Sequence, residues 1–80
     1  MPTLYKLLSK FSRGERATLI ILVEKICSLG WHGLNIKKLQ GYKDIFRLRK
    51  GKFRIIFLKN DKIIQIIDIG RRNEKTYKLE

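Results

Sequence analysis

The sequence predicts a single α+β domain, residues 1–80, in which an N-terminal helical hairpin packs on one face of a small antiparallel β-sheet. Three observations support this prediction. The chain has 80 residues, which is enough for one hydrophobic core. Apolar residues recur at helical spacing in the first part of the chain, and from residue 45 they alternate with polar residues, as in half-buried strands.

Two helices are predicted before residue 30. In the first segment, apolar side chains recur on one helical face at Leu4, Leu7, Leu8 and Phe11. Ser12 and Glu15 then have the spacing of a capping box, in which each side chain accepts a hydrogen bond from the backbone of the other. A second helix is therefore expected over residues 13–29, with Gly30 as its stop signal.

The second half of the chain predicts a three-strand meander. Residues 30–44 are expected to connect the two layers as a loop, with a helical turn around residues 36–39. Strands are expected from residue 45 to a turn at Lys50-Gly51, over residues 52–59, and over residues 62–69 after a second turn at Asn60-Asp61. Tight turns between consecutive strands imply antiparallel pairing.

Charge is the strongest compositional signal. Lys and Arg number 19 against seven Asp and Glu, which gives a net charge of +12 and favours a polyanionic partner, nucleic acid first. The apolar run of residues 19–23 is too short to span a bilayer. A single cysteine, Cys27, fits a reducing compartment, and the N-terminus does not resemble a signal peptide, so a cytoplasmic location is expected. One histidine and scattered carboxylates predict neither a metal nor another cofactor.

The first predicted hairpin gathers positive charge. With Lys50-Gly51 as the turn, Arg49 faces Lys52 and Arg47 faces Arg54, and alternation puts all four on the face opposite the apolar side chains. Like charges opposed across a strand pair are destabilising, and an anion bound between arginines would relieve the repulsion. The alternative is a solvated basic face.

The third strand runs into a further basic segment, Gly70-Arg71-Arg72, and Tyr77 follows it. Strict alternation across the second turn puts Arg71 on the same face as Arg54, whereas Gly70 allows the chain to turn Arg72 toward it. A tyrosine close to bound phosphate can stack on a base.

In order and spacing, this set of motifs resembles the RelE/ParE toxin superfamily over about residues 36–78. The motifs are Lys38-Leu39-Gln40-Gly41, Arg47-Leu48-Arg49, Gly51-Lys52-Phe53-Arg54-Ile55-Ile56, Ile69-Gly70-Arg71-Arg72 and the final Tyr77. Each motif is weak alone, and the ordered set is more specific.

The resemblance implies a toxin that is neutralised by an acidic antitoxin. RelE-type members cleave mRNA in the ribosomal A site without a metal, using the 2′-hydroxyl of the RNA as nucleophile. The resemblance implies that the catalytic residues are Arg47, Arg49, Arg54, Arg72 and Tyr77. Contacts to mRNA and ribosomal RNA are then expected from Lys43, Lys50, Lys52 and Arg71. The alternative is a ParE-like gyrase inhibitor or an inactive binding protein of the same fold.

The chain departs from the family in two ways. The family opens with a β-strand, which here is absent or reduced to residues 3–7 as a fourth, short strand. Some relatives also have Lys where this chain has Arg47 and Arg49. Arginine cannot give up its proton, so the resemblance does not identify a general base.

An apolar surface for the antitoxin is also predicted. Since the helices cover one face of the sheet, the other face is expected to expose an apolar patch beside the arginines at Ile56, Leu58, Ile63 and Ile67. Exposed apolar patches commonly mark partner sites. An acidic, amphipathic antitoxin segment is expected to bind there.

Overall fold

A computed structural model describes residues 3–71 of the chain. It has an α+β arrangement with two helices, α1 (Leu4–Leu8) and α2 (Arg13–Cys27). Four strands follow: β1 (Asn35–Lys38), β2 (Ile45–Lys50), β3 (Phe53–Lys59) and β4 (Ile64–Arg71). They form one antiparallel sheet in the order β1-β2-β3-β4, and the helical layer packs on one of its faces.

The capping box prediction is confirmed at the start of α2. The Ser12 backbone amide donates to Oε1 of Glu15 at 3.0 Å, and the Glu15 amide donates to Oγ of Ser12 at 3.3 Å. These two bonds satisfy amides that a helix N-terminus otherwise leaves unpaired. The predicted hairpin is present only in part, because α1 has five residues and a short turn separates it from α2.

The C-terminus of α2 differs from the prediction. The helix ends at Cys27, and Leu29, rather than a glycine, adopts a left-handed conformation with φ of 62°. The Leu29 amide donates to Ile26 and the Gly30 amide donates to Lys25, which is the Schellman pattern. Leu29, within the range expected to be helical, is instead exposed.

The fourth strand does not lie where the resemblance implies. Residues 4–8 form α1, and β1 occupies residues 35–38, which were expected to form a loop with a helical turn. Ile36 pairs with Leu48 and packs against the core. One apolar residue in a strand of four is too short a pattern to predict a strand from the sequence, and pairing with β2 stabilises β1 instead.

The first hairpin is shifted relative to the predicted register. Gly51 and Lys52 form the two-residue loop, and Lys50 pairs with Phe53. Gly51 has a φ of 57°, the positive value that such a loop favours at its first position. The shift is one residue in each strand, so the predicted division of side chains between the two faces of β2 and β3 is kept.

The core lies between the helices and the sheet. Its fully buried members are Leu19, Ile26, Leu48, Ile55, Phe57 and Ile69. An aromatic group closes one end: Phe46 stacks on Phe57 with centroids 5.5 Å apart, and Trp31 meets both rings edge-on. The indole Nε1 of Trp31 donates to the Ile26 carbonyl at 3.1 Å, which ties this group to the end of α2.

Candidate nucleic-acid interface

Among residues 3–71, four cations lie on the face of the sheet turned away from the helices. The register sets Asn35, Arg49, Arg54 and Gly70 in one row across all four strands, and Lys37, Arg47, Ile56 and Asp68 in the next. Residues directly opposite each other project to the same side of a sheet. We call this surface, defined by Lys37, Arg47, Arg49 and Arg54, the basic face.

The predicted pairing of the arginines needs correction. Arg54 lies opposite Arg49, and Arg47 lies opposite Ile56. The like-charge pair expected from the sequence is therefore present, but between Arg49 and Arg54. Like charges on directly opposed residues repel each other, and guanidinium groups are able to bind an anion through paired hydrogen bonds.

Two of the arginines are buried. Arg47 and Arg54 are each 6% exposed, and for Arg54 this contradicts the expectation that it is exposed on the sheet. Arg49 is half-buried and Lys37 is exposed. Arg47, Arg49 and Arg54 each have interactions within the folded chain. The basic face therefore has an accessible edge at Lys37 and Arg49 and a buried centre.

The predicted RNA contacts do not share one surface. Lys43 lies in the loop before β2, at the opposite end of that strand from the Gly51-Lys52 turn. Lys50 pairs with Phe53 and so belongs to the helix side of the hairpin. Lys52, expected on the basic face, lies in the turn, and its Nζ is 3.0 Å from Oε2 of Glu15. The structure brings none of these three lysines to the basic face.

Arg71 also lies on the helix side. It pairs with Phe53, while Arg54 pairs with Gly70, so strict alternation along β4 is wrong. The cause is a bulge at Ile67, which adds one residue between the pairs Phe57–Ile66 and Ile56–Asp68. The guanidinium of Arg71 stacks 5.1 Å from the Phe11 ring centroid and donates to both carboxylate oxygens of Glu15 at 3.3 Å.

Glu15 therefore joins three elements. It caps α2, pairs with Lys52 in the β2–β3 turn, and accepts from Arg71 at the end of β4. The hydrogen bond from the Ser12 backbone amide, followed by that from Lys52, lowers the pKa of Glu15 from 4.5 to about 2. This cluster fixes the end of the hairpin that carries Arg49 and Arg54 on its other face.

We expect Glu15→Gln to reduce the acid sensitivity of the fold. The pKa of Glu15 is lower in the folded chain than its ordinary value of 4.5, so the ionised carboxylate stabilises the fold at pH values above about 4.5. This stabilisation is lost as the pH falls toward 2. Glutamine keeps the capping box but cannot form the ion pairs. Melting temperatures measured from pH 7 to pH 2 should therefore fall less steeply in Glu15→Gln, from a lower starting value, than in wild type.

A matched control for this comparison is Glu24→Gln, which removes a carboxylate from the exposed side of α2. Its melting temperature should follow the wild-type dependence on pH. Identical slopes in all three proteins would contradict the role assigned to Glu15.

The predicted apolar patch is not an exposed surface. Ile56 is fully buried, Leu58 and Ile67 are half-buried, and Ile67 occupies the bulge. Ile63 is 51% exposed but lies in the turn before β4, outside the strand to which it was assigned. Ile56 cannot contact a partner while the basic face keeps this structure.

Two predicted site residues, Arg72 and Tyr77, lie outside the described residues. Three members of the basic face were missed by sequence reasoning: Asn35, Lys37 and Asp68. The first two are on the unpredicted strand β1. Asp68 reaches this face only because of the bulge, although a single carboxylate in the apolar run of β4 is a signal that could have drawn attention to it.

The described residues contain neither a metal-binding cluster nor a membrane-spanning helix. Within residues 3–71, no group of three or more His, Cys, Asp or Glu side chains is placed to hold a metal ion. In the same range, no helix is long and apolar enough to cross a membrane. The fold and site define an α+β protein with a basic sheet face. No protein-family model, curated protein or solved structure matches the chain.

Proposed function

We propose that this chain is a RelE-like toxin of a type II toxin–antitoxin system, an endoribonuclease that cleaves mRNA on the ribosome and stops translation. The observation that carries the proposal is the placement of Arg49 opposite Arg54, with Arg47 and Lys37 in the neighbouring row. Arginine binds phosphate oxygens through two parallel hydrogen bonds. A pair of opposed guanidinium groups suits one phosphate of an RNA backbone.

The proposed reaction needs no metal and no other cofactor. The 2′-hydroxyl of the RNA attacks the adjacent phosphorus, and negative charge builds up on the phosphate oxygens in the transition state. Arg54 and Arg49 stabilise that charge, and Arg47 orients the backbone. Arg72 and Tyr77 are proposed to complete the site on the strength of the sequence motif, with Tyr77 stacking on a base or taking part in proton transfer.

The burial of Arg47 and Arg54 sets a condition on RNA binding. Both residues have interactions within the chain, so phosphate contacts have to replace them. We expect Lys37 and Arg49, at the accessible edge, to contact the RNA before the buried arginines do. Contacts with ribosomal RNA are assigned to cations on other surfaces, whose positive charge attracts polyanions without sequence preference. These cations are Lys43, Lys50, Lys52 and Arg71.

The proposed partners are mRNA, ribosomal RNA and an acidic antitoxin, in the cytoplasm. A net charge of +12 costs stability through self-repulsion, and an acidic protein would neutralise it. Because Ile56 is fully buried, the antitoxin is expected to bind a surface other than the predicted isoleucine patch.

We expect the purified protein to cleave mRNA that is bound to ribosomes, and to leave the same mRNA intact without ribosomes. Primer extension on the message should show breaks within codons in the A site.

The alternative gyrase-inhibiting function predicts different products. Induction in cells would then leave mRNA intact while double-strand DNA breaks accumulate. That pattern, or a protein that binds ribosomes and cleaves nothing, would overturn the proposal.

A further inference from the structure

Asp68 is an unexpected member of the basic face. It lies opposite Ile56 on β4, and Ile56 lies opposite Arg47 on β2. Arg54, opposite Gly70, is its diagonal neighbour, at a Cα separation of about 7–8 Å. Of the described residues that the register places on this face, Asp68 has the one carboxylate.

One oxygen of the Asp68 carboxylate is buried without a hydrogen-bond partner among the described residues. The residue is half-buried, and its Oδ2 is buried and accepts no hydrogen bond from the described part of the chain. A buried polar atom without a partner is destabilising, and each case in a native fold calls for an explanation.

The four cations that define the basic face do not supply a group that can accept a proton. Attack by a 2′-hydroxyl requires its proton to be removed, and the guanidinium groups of Arg47, Arg49 and Arg54 cannot take it up. Lys37 is a cation that donates hydrogen bonds. A carboxylate can act as a general base, and Asp68 supplies one beside the residues assigned to the phosphate.

We propose that Asp68 is the general base of the RNA cleavage, an inference that rests on the proposed function. Its carboxylate takes the proton of the 2′-hydroxyl while that oxygen bonds to the adjacent phosphorus. The bond from phosphorus to the 5′-oxygen breaks, and the departing oxygen takes a proton from water. The products are a 2′,3′-cyclic phosphate and a 5′-hydroxyl end. Asp68 then releases its proton to the hydroxide, so no net proton is gained or lost.

The test is a comparison of wild type and Asp68→Asn, in which rate and binding are measured separately on ribosomes carrying a defined mRNA. General base catalysis contributes about 100- to 10,000-fold, so single-turnover cleavage should fall by about 100-fold or more. Binding to the programmed ribosome, measured by co-sedimentation, should be unchanged or tighter, because the substitution removes a negative charge near the RNA phosphate. A residue that only holds the arginines in place would weaken binding and cleavage together.

Two further variants complete the design. Glu24→Gln makes the same carboxylate-to-amide change on the exposed side of α2 and should bind and cleave like wild type. Asp68→Glu keeps a carboxylate and should retain more cleavage than Asp68→Asn. Melting temperatures of all variants show whether each one folds, and if Asp68→Asn does not fold, Asp68→Glu and Asp68→Ser are compared instead.

The outcomes separate this inference from the proposed function. Cleavage at the wild-type rate by folded Asp68→Asn, or equal losses in Asp68→Glu and Asp68→Asn, would overturn the role of Asp68 alone. An inactive wild-type protein would overturn the proposed function and the base assignment with it.

Discussion

Replacing Phe57 with alanine should lower the free energy of unfolding by about 3–5 kcal/mol, the usual cost of deleting a buried aromatic side chain. Phe57 is fully buried at the centre of β3, stacked on Phe46 and in edge contact with Trp31. Small domains have only about 5–15 kcal/mol of total stability, and this one also carries a net charge of +12. We therefore expect urea denaturation at room temperature to show that Phe57→Ala is partly unfolded even at low urea concentration.

Tyr42→Ala provides the control. Tyr42 is an exposed aromatic residue in the loop before β2, and its truncation should change the free energy of unfolding by less than about 0.5 kcal/mol. A Phe57→Ala variant as stable as Tyr42→Ala would mean that the aromatic group does not hold the helices to the sheet.

The parts of the fold that were predicted correctly have strong local signals. The capping box fixes the start of α2 through two short-range hydrogen bonds. In β2 and the start of β3, the alternation of apolar with basic residues indicates which side chains share a face. Strand β1 was missed because its stability comes from pairing with β2. The bulge at Ile67 was missed because no glycine or proline marks it in the sequence.

These two omissions account for the errors at the candidate site. The bulge moves Arg71 to the helix side and Asp68 to the basic face, the reverse of what strict alternation along β4 gives. The turn at Gly51-Lys52 changes which arginine faces Arg54, but not the face that Arg47, Arg49 and Arg54 share. In β2 and β3, the alternation of side chains thus predicted the correct face for the three arginines, whereas the predicted residue pairs were wrong.

Substitution of Arg54 should have the largest effect on the proposed activity. Arg54 is the buried member of the opposed pair with Arg49, on the central part of the sheet. A preorganised donor to transition-state charge is worth about 100- to 1000-fold in rate. We expect a loss of that size in Arg54→Gln, and nearly as large a loss in Arg54→Lys, because lysine keeps the charge but cannot form two parallel hydrogen bonds to one phosphate.

Folding has to be measured beside activity, since a buried arginine also contributes packing through its aliphatic part. Both substitutions keep a long side chain. Because Arg54 is buried and has interactions within the chain, melting temperatures below the wild-type value are expected, and activities are compared at a temperature at which every variant is folded. Arg13→Gln is the matched control, because Arg13 is exposed at the start of α2 on the opposite layer.

In the ribosome-bound mRNA assay, Arg49→Gln combined with Arg54→Gln should lose little more activity than Arg54→Gln alone, since the two residues bind the same phosphate. Full cleavage by folded Arg54→Gln would show that the opposed arginines do not form the site.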